Sequence, residues 1–363
     1  LLVTAAVLAP MCWGLWLQFD SHPERMVNGR TGVSGLYFFF WEQSFGRITG
    51  ENVWKNDTGS LYFLHVYLWA FAPWAFVLAG LMWRWLRRPW GAKEAESAGF
   101  GDRLDWKEAF SIGGFFVSFV ALSLSKYKLP HYIFVTLPWA SVLVANGWPR
   151  LAAWFSKVRG AAVLLFYLPV ALVFVTAFLL LGFVFPTHDM LLWLPPSGLL
   201  GWLSWRIARH PFPSDAEVWV QRGVMATLAG MFVMNFHFYP RLLTYQSSSA
   251  AAQYAKQAGI PADQMGYYGR HGHALDFYSQ RILPDMGNTG HIQAEARRMG
   301  ALWLYTTVPG KADLDRAGIV YEVLREFSHF QVALLSPQFL NPSTRHKTLE
   351  PVYLLKIPPQ APH

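Results

Sequence analysis

The sequence predicts an α-helical polytopic membrane protein with a small C-terminal α/β domain. Aromatic residues make up 17% of the 363 residues, charged residues make up only 14%, and the mean hydropathy is +0.22. These values are too apolar for an ordinary soluble domain. About seven apolar segments have the length needed to cross a bilayer, and after the last of them the composition becomes that of a soluble domain. We therefore predict a transmembrane region at 1–240 and a soluble domain at 241–363.

The first apolar segment, at 1–18, opens the chain without a methionine. A signal peptide would need a basic region and a small-residue cleavage site, and neither is visible there. We expect this segment to be a membrane span and the chain to be the C-terminal part of a longer protein. The sixth segment contains Pro195-Pro196, which leaves its ends the least defined. The later spans are expected near residues 60–86, 108–125, 129–148, 161–185, 190–205 and 223–240.

The loops between these segments differ in their content of Lys and Arg, which are enriched in cytoplasmic loops. The loops at 84–107, 149–160 and 206–222 together hold twelve of these residues. The opposite loops hold six, namely Arg25, Arg30, Arg47, Lys55, Lys126 and Lys128. The first set is therefore expected in the cytoplasm. The loop at 20–59, the turn at 125–132 and the C-terminal domain are then expected outside.

Two classes of function are disfavoured by composition. The net charge of +8 comes from basic residues that punctuate apolar spans, without the basic stripe and interleaved aromatic residues of a nucleic-acid-binding protein. Cys12 is the only cysteine, so the chain can form neither an internal disulfide nor a cysteine-based metal site. Membrane orientation and anionic lipid account for the basic residues better.

The outer loop at 20–59 is too rich in aromatic residues and glycine for a simple linker. Its centre, 36–47, predicts an interfacial helix that lies along the membrane with Glu42 and Arg47 on its polar face. A polar, turn-rich segment follows at 48–59 and is expected to hang over the outer surface. Loops of this length are usually functional, and the alternative is a plug on the membrane surface without a chemical role.

The turn at 125–132 places Lys126, Lys128 and Pro130 between two apolar runs. Ionisable residues at such a depth are functional candidates, because a charge there needs water, a headgroup or another polar partner. Two closely spaced ammonium groups indicate an anion, most simply a lipid phosphate, and Pro130 fixes the bend that presents them. The alternative is a pair of snorkelling lysines that anchor a helix end.

The region after residue 240 alternates helical and strand patterns, as in a small α/β domain. Helices are expected at 247–258, 292–299 and 313–317, and strands at 265–268, 301–306, 331–335 and 352–357. The glycines around Arg270, His271 and His273 match no nucleotide-binding motif, so a turn is predicted there. The two histidines have no acidic or cysteine partner in the sequence pattern, and no metal site is predicted.

Several stretches resemble the polyprenyl-phosphate-dependent glycosyltransferases of the GT-C superfamily. The likeness extends to the aminoarabinose transferases that modify lipid A and to the protein O-mannosyltransferases. The most specific stretch is the turn at 125–133, which is similar to the family's Ser-x-x-Lys-Leu-Pro-x-Tyr motif. The resemblance is carried by residues from about Pro10 to Arg150. The other stretches are His22-Pro23-Glu24, the aromatic run at 39–47, and Trp69-Ala70-Phe71-Ala72-Pro73-Trp74.

The resemblance implies an inverting transfer of a sugar from a polyprenyl-phosphate carrier to a lipid or protein acceptor. It places this reaction at the outer face of a bacterial inner membrane, with the C-terminal domain in the periplasm. The phosphate of the carrier is the leaving group, and cations near the membrane surface would stabilise its charge. Lys128 and Arg47 are the first candidates for this role, and Lys126, Lys55 and Tyr132 are supporting candidates.

The sequence departs from the family pattern at the general base. The family has this acid in its first outer loop, before the region that this chain matches, so the base is expected upstream of Leu1 and the chain alone is expected to be inactive. Glu42, Glu51 and Asp57 are outer carboxylates that could position the acceptor. The residue that follows the matching glutamate is Gln43 where the family usually has histidine. No metal is therefore assigned, although a divalent ion stays open as a cofactor.

Two further classes of function compete with this interpretation. A transporter or flippase of a lipid-linked sugar would need charged or broken helices near the middle of the bilayer, and the predicted spans contain few. A non-catalytic membrane anchor would use the C-terminal domain to bind cell-envelope glycans. Neither the donor sugar nor the acceptor, whether lipid A, protein or another glycan, is indicated by the residues.

Overall fold

The computed structural model describes residues 2–24, 31–43, 45–49, 59–86, 106–332 and 334–359. The chain forms two compact units, and each combines segments distant in sequence. One consists of Leu1–Val173 and Trp202–Thr227, and the other of Phe174–Gly201 and Leu228–His363.

Helices occur in every segment that the sequence predicts to be a span. A 3₁₀ helix at Pro130–Val135 leads into the fourth of these segments. The others are α1 (Leu2–Leu15, continued by a π-helical turn at Trp16–Asp20), α2 (Gly35–Tyr37, continued at Phe38–Glu42), α3 (Phe45–Thr49), α4 (Tyr62–Ala70), α5 (Trp74–Leu86), α6 (Trp106–Leu124), α7 (Leu137–Lys157), α8 (Arg159–Val184), α9 (Met190–Arg209) and α10 (Ala216–Val233, continued at Met234–Phe238 and Tyr239–Leu243).

In the part of the chain that the structure describes, two helices, Leu2–Asp20 and Arg159–Val184, are long and apolar enough to cross a membrane by length and composition. Shorter apolar helices run over Trp74–Trp83 and Ala109–Leu124. The count of seven spans stays a prediction. The sixth predicted segment is one continuous helix, α9, which contains Pro195 and Pro196.

The second predicted span is two helices, because α4 ends at Ala70 and α5 begins at Trp74. Pro73 lies between them. A proline has no backbone N–H and its ring crowds the preceding turn, so it interrupts a helix that reaches it. The sequence predicts a single span at 60–86, whereas the structure has two helices there, separated at Pro73.

The first unit has an aromatic core. Trp219 and Phe166 are fully buried, and their rings lie perpendicular with centroids 5.0 Å apart. Trp74 of α5 packs edge-on against Trp148 of α7 at 5.6 Å. Gly223 of α10 lies so close to Trp74 that a Cβ atom there would be 2.6 Å from the indole ring. Small residues of this kind allow membrane helices to approach closely.

The second unit contains a four-stranded sheet in the order β1-β2-β4-β3, with β1 parallel to β2 and the other pairs antiparallel. Its strands are β1 (Met265–Tyr268), β2 (Leu302–Thr307), β3 (Glu322–His329) and β4 (Glu350–Ile357). Its helices are α11 (Ser247–Gln257), α12 (His273–Ser279), α13 (Thr289–Met299), α14 (Val308–Arg316) and α15 (Pro337–Leu340).

Both faces of this sheet are covered. On β4, Val352 and Leu354 belong to one apolar cluster, which includes alanines of α11. Leu355 and Ile357 belong to another, which includes Ile292 of α13. Successive side chains on a strand point to opposite faces, so the two clusters lie on the two sides of the sheet. The predicted α/β arrangement is confirmed.

One predicted strand is wrong. Residues 331–335 form no strand in the described part of this segment, and the edge strand is β3 instead. Only Phe327 of β3 is buried, and the strand carries Glu322, Arg325 and Glu326. Charged residues on an edge strand oppose pairing with other chains, and they also hide the apolar alternation by which strands are recognised.

A third apolar cluster of the second unit joins α8 and α10 to the segment after β3. Phe330 and Phe339 stack there with ring centroids 3.7 Å apart. Arg345 lies against this cluster, with its guanidinium 4.3 Å from the centroid of the Phe185 ring. It donates hydrogen bonds to the carbonyl oxygens of Val184, at the end of α8, and Phe339.

Candidate functional site

The lysine turn, defined here as residues 125–132, begins where α6 ends at Leu124. The Ser125 hydroxyl donates to the carbonyl of Tyr127 at 2.8 Å and accepts from the backbone N–H of Tyr127 at 3.3 Å. This side chain therefore holds the backbone of the turn on both sides of Lys126. Ser125 itself is buried.

The two lysines of the turn differ in environment. Lys126 is exposed, whereas the Lys128 side chain is buried with 5% exposure. Burial lowers the pKa of the Lys128 ammonium, and the positive charge of Lys126 lowers it further. Both effects disfavour the charged form, and a nearby anion would favour it. That the turn binds an anion stays a prediction of the sequence.

The segment after the lysines is fixed by a chain of hydrogen bonds. The Thr136 hydroxyl donates to the carbonyl of Ile133 at 2.7 Å. It has only one proton, so the Tyr67 hydroxyl, also 2.7 Å away, must donate to Thr136. Thr136 and Ile133 are fully buried. These hydrogen bonds tie the end of the 3₁₀ helix, which begins within the lysine turn at Pro130, to α4.

Packing fixes Tyr67 as firmly as hydrogen bonding does. Its ring meets Phe115 and Phe119 of α6 edge-on, each with centroids 5.8 Å apart. Sequence reasoning missed both Tyr67 and Thr136. Each is a single hydroxyl in an apolar run, and the signal that could have found them is that a hydroxyl at such a depth needs a partner.

The start of the outer loop is attached to the end of the first helix. Asp20 accepts hydrogen bonds from the Ser34 hydroxyl and from the backbone N–H groups of Gly35, at 2.9 Å, and Leu36, at 3.4 Å. A Cβ atom at Gly35 would lie 2.9 Å from the carbonyl oxygen of Leu15. The close approach and the carboxylate together hold α2 against the C-terminal end of α1.

The segment predicted as an interfacial helix at 36–47 is helical in two pieces, α2 with its continuation and α3, and its position along the membrane stays a prediction. Phe40 and Trp41 are 47% and 42% exposed, which suits an element in contact with lipid. Glu42 is half-buried. The backbone of Arg47 belongs to α3, which packs against α6, the helix that leads into the lysine turn.

The other predicted site residues divide into two groups. Lys126, Lys128 and Tyr132 are brought together in the lysine turn, where Tyr132 is half-buried and its ring meets the His131 ring at 4.9 Å. Lys55, Glu51 and Asp57 lie outside the described residues, as does the side chain of Arg47.

The glycine-rich segment after β1 is a turn, as predicted, with Gly269 at a φ of +83°. The expectation that its histidines lack an acidic partner is wrong. Asp276, one turn into α12, lies 2.7 Å from Nε2 of His271 through its Oδ2 atom. The ligand atoms of His271, His273 and Asp276 all lie within 4.8 Å of one another.

A serine and a histidine also meet in the second unit. The Ser247 hydroxyl lies 2.8 Å from Nδ1 of His329 and 2.6 Å from the Tyr305 hydroxyl. Ser247 is fully buried, so substrate cannot reach its oxygen in this structure. The contact attaches α11 to β2 and β3.

Neither a protein-family model nor a curated protein matches this sequence. Two solved structures do match. One is ArnT from Cupriavidus metallidurans bound to undecaprenyl phosphate, with a TM-score of 0.52 and 16% identity. The other is the same protein in the apo state, with a TM-score of 0.51 and 15% identity.

This chain has the ArnT fold. The alignment covers 98% of the chain, so the likeness includes the C-terminal sheet and reaches far beyond the 10–150 stretch that carries the sequence resemblance. The chain spans 59% of the length of each ArnT chain. The GT-C resemblance indicated by the lysine turn is thereby confirmed at the level of the fold.

Proposed function

We propose that this chain is the carrier-binding part of a polyprenyl-phosphate-dependent membrane glycosyltransferase, and that the lysine turn binds the phosphate. The observation that carries the proposal is Lys128, a buried cation in a turn held by its own hydrogen bonds. The fold adds support, because one of the ArnT structures was solved with undecaprenyl phosphate.

The environment of Lys128 suits this role. A cation placed before the ligand arrives does not have to reorganise as negative charge develops on a departing phosphate. Burial reduces the screening of the interaction by water. Lys126 adds a solvent-facing charge and the Tyr132 hydroxyl a further donor. Arg47 and Lys55 are proposed as additional phosphate ligands, and Arg47 could bind with two parallel donors.

The carboxylates Glu42, Glu51 and Asp57 are proposed to orient the acceptor hydroxyl or to hold a divalent ion. An inverting transfer also needs a base that takes the proton of that hydroxyl. No described residue is assigned this role. The proposed reaction moves a sugar from a polyprenyl-phosphate carrier to a lipid or protein acceptor.

The proposed location is a bacterial inner membrane. The uneven distribution of Lys and Arg between the two sets of loops supports seven spans that begin in the cytoplasm. The lysine turn, the outer loop and the C-terminal domain would then lie on the periplasmic side, where the carrier would be used.

The binding of undecaprenyl phosphate to purified chain in neutral detergent tests the proposal. Lys128→Gln removes the buried charge and is expected to weaken binding about tenfold or more, as for other hydrogen bonds to charged groups. Lys128→Arg should retain much of the affinity. Lys256→Gln removes an exposed lysine of α11 and serves as the matched control. The phosphate assignment is wrong if Lys128→Gln binds the lipid as tightly as the wild type.

A transporter or flippase of a lipid-linked sugar is the second candidate. The interruption between α4 and α5 favours it, because broken helices form the substrate sites of many transporters. Such a protein would move a fluorescent polyprenyl-phosphate sugar across the bilayer of sealed liposomes. A transferase would leave the lipid in its original leaflet.

A further inference from the structure

We propose that the chain has a second phosphate site, built from arginines at the C-terminal end of α9 and distinct from the lysine turn. The structure has a cleft there, formed by the loop between α9 and α10 and by residues of both helices. Its volume is about 400 Å³, within the range of about 300–1,000 Å³ typical of small-molecule sites. The lining residues that carry charge or can acquire it are Arg159, Arg206, Arg209, Arg222, His210 and Asp215.

Arg222 forms the buried part of this arginine cleft, with 1% exposure. Its Nη1 atom donates to the Tyr167 hydroxyl, and its Nη2 atom donates to the carbonyl oxygens of Arg206, at 3.2 Å, and His210, at 2.5 Å. The Tyr167 hydroxyl in turn donates to the carbonyl of Pro211. The guanidinium thus satisfies backbone carbonyls at the end of α9.

These acceptors are neutral, so the charge of Arg222 is not cancelled by them. The single carboxylate of the lining, Asp215, accepts a hydrogen bond from the backbone N–H of Glu217 at 2.9 Å and acts as a cap for α10. Four arginines therefore face one acid that already has a structural role. The excess of positive charge makes an anion the complementary ligand.

The three outer arginines are placed beside aromatic rings. The guanidinium carbons of Arg206 and Arg209 lie 5.8 and 4.6 Å from the ring centroids of Trp202 and Trp205. That of Arg159 lies 5.4 Å from the centroid of Phe212. Trp202 and Trp205 are exposed, and exposed tryptophans beside arginines mark the headgroup layer of a membrane. The cleft is thus expected at the depth of lipid phosphates.

The chemistry of the cleft fits a phosphate monoester or diester. Guanidinium groups match phosphate oxygens with pairs of parallel donors. The volume leaves room for the glycerol beside the phosphate of an anionic lipid. The same donors would accept a free phosphate, so the experiment has to separate the two sources.

The test is native mass spectrometry of the full chain in neutral detergent, titrated with phosphatidylglycerol and, separately, with phosphatidylcholine. The variant Arg206→Gln/Arg209→Gln removes the charges of the half-buried Arg206 and the exposed Arg209, and it leaves Arg222, which caps α9, in place. Arg150→Gln, in α7 outside the cleft lining, is the matched control.

Each arginine near an anionic lipid is worth about a fivefold change in affinity, so the double variant should bind phosphatidylglycerol roughly 25-fold more weakly. Arg150→Gln should bind it like the wild type, and phosphatidylcholine should show no difference among the three proteins. Lys128→Ala added to each protein should leave this difference of roughly 25-fold in place, which separates this cleft from the lysine turn.

Competition with inorganic phosphate and with glycerol phosphate tests whether the ligand of the cleft is a soluble phosphate compound. If they displace phosphatidylglycerol from the wild type at millimolar concentration, the cleft takes a free phosphate compound. If they do not, it takes the lipid headgroup. Equal affinity of the double variant and the wild type for phosphatidylglycerol and for both soluble phosphates would overturn the proposal.

Discussion

The Thr136 hydroxyl joins the segment after the lysines to Tyr67 of α4. It accepts from Tyr67 and donates to the carbonyl of Ile133, and all three residues are buried. Loss of this hydroxyl would leave the buried Tyr67 hydroxyl without an acceptor, whereas the Ile133 carbonyl would still accept from the backbone N–H of Thr136 at 2.8 Å. Loss of the Tyr67 hydroxyl would leave only a lone pair of Thr136 unused.

Thr136→Val is therefore expected to lower the free energy of unfolding by about 1–3 kcal/mol, the cost of leaving one buried hydroxyl donor unsatisfied. Tyr67→Phe should cost less, because the bond from Thr136 to Ile133 survives. Thr136→Ser keeps the hydroxyl and is the control. Thermal unfolding in detergent measures the order, and equal losses for Thr136→Val and Tyr67→Phe would contradict the proposed direction of the hydrogen bonds.

The proposed role of Lys128 predicts that carrier binding depends on pH. Burial and Lys126 both lower its pKa, which is 10.5 for an ordinary lysine. The ammonium binds a phosphate only when charged, so affinity should fall as the pH rises through this lowered pKa, before an ordinary lysine would lose its proton. The sign for stability is opposite: the unfolded chain holds this proton more tightly, so stability rises with pH between the lowered pKa and 10.5.

The expected result for Lys126→Gln follows from the same argument. Removing the neighbouring charge raises the pKa of Lys128, so the loss of undecaprenyl phosphate binding moves to higher pH, although the affinity at neutral pH is lower. Lys126→Arg keeps the charge and should keep the wild-type midpoint. A midpoint that is identical in Lys126→Gln and the wild type would show that another group titrates.

At the scale of the helices, close approach at glycine decides how α5 and α10 pack. A Cβ atom at Gly223 would lie 2.6 Å from the rigid indole of Trp74. Gly223→Ala should therefore lower the free energy of unfolding by about 1–3 kcal/mol through overpacking. Gly113→Ala places the same methyl group in open space on α6, where it should be neutral or stabilising by up to about 1 kcal/mol. Comparison of the two melting temperatures measures the packing effect alone.

The helices could be predicted from the sequence because their signal is local. Runs such as 161–185 are apolar throughout, and most of the helices and strands after residue 246 follow the expected alternation. β3 could not be recognised, because its residues are mostly charged or exposed and it is held by its pairing with β4, which is 21 or more residues away along the chain. The lysine turn was recognised by its charges and its motif. Its support by Tyr67 was not, because that contact joins residues separated by 69 positions.

At the scale of the whole molecule, the expected orientation can be tested directly. The cytoplasmic loops are predicted to hold twice as many Lys and Arg residues as the outer loops, and seven spans that begin in the cytoplasm end outside. A fluorescent reporter that folds only in the cytoplasm, fused after His363, should stay dark. A reporter inserted in the loop at 87–100 should fluoresce and serves as the control. A bright signal after His363 would mean that one of the predicted segments does not cross.

Arg345 has a consequence for how the second unit comes apart. It lies between β3 and β4. Even so, its guanidinium donates a hydrogen bond to the carbonyl of Val184, the last residue of α8, and lies over the ring of Phe185. The end of α8 and the segment between β3 and β4 therefore share one apolar cluster, and this segment leads directly into β4. Heating should melt the sheet and the end of α8 in a single calorimetric transition, and proteases should find no early cut in the short connection at 244–246 between α10 and α11.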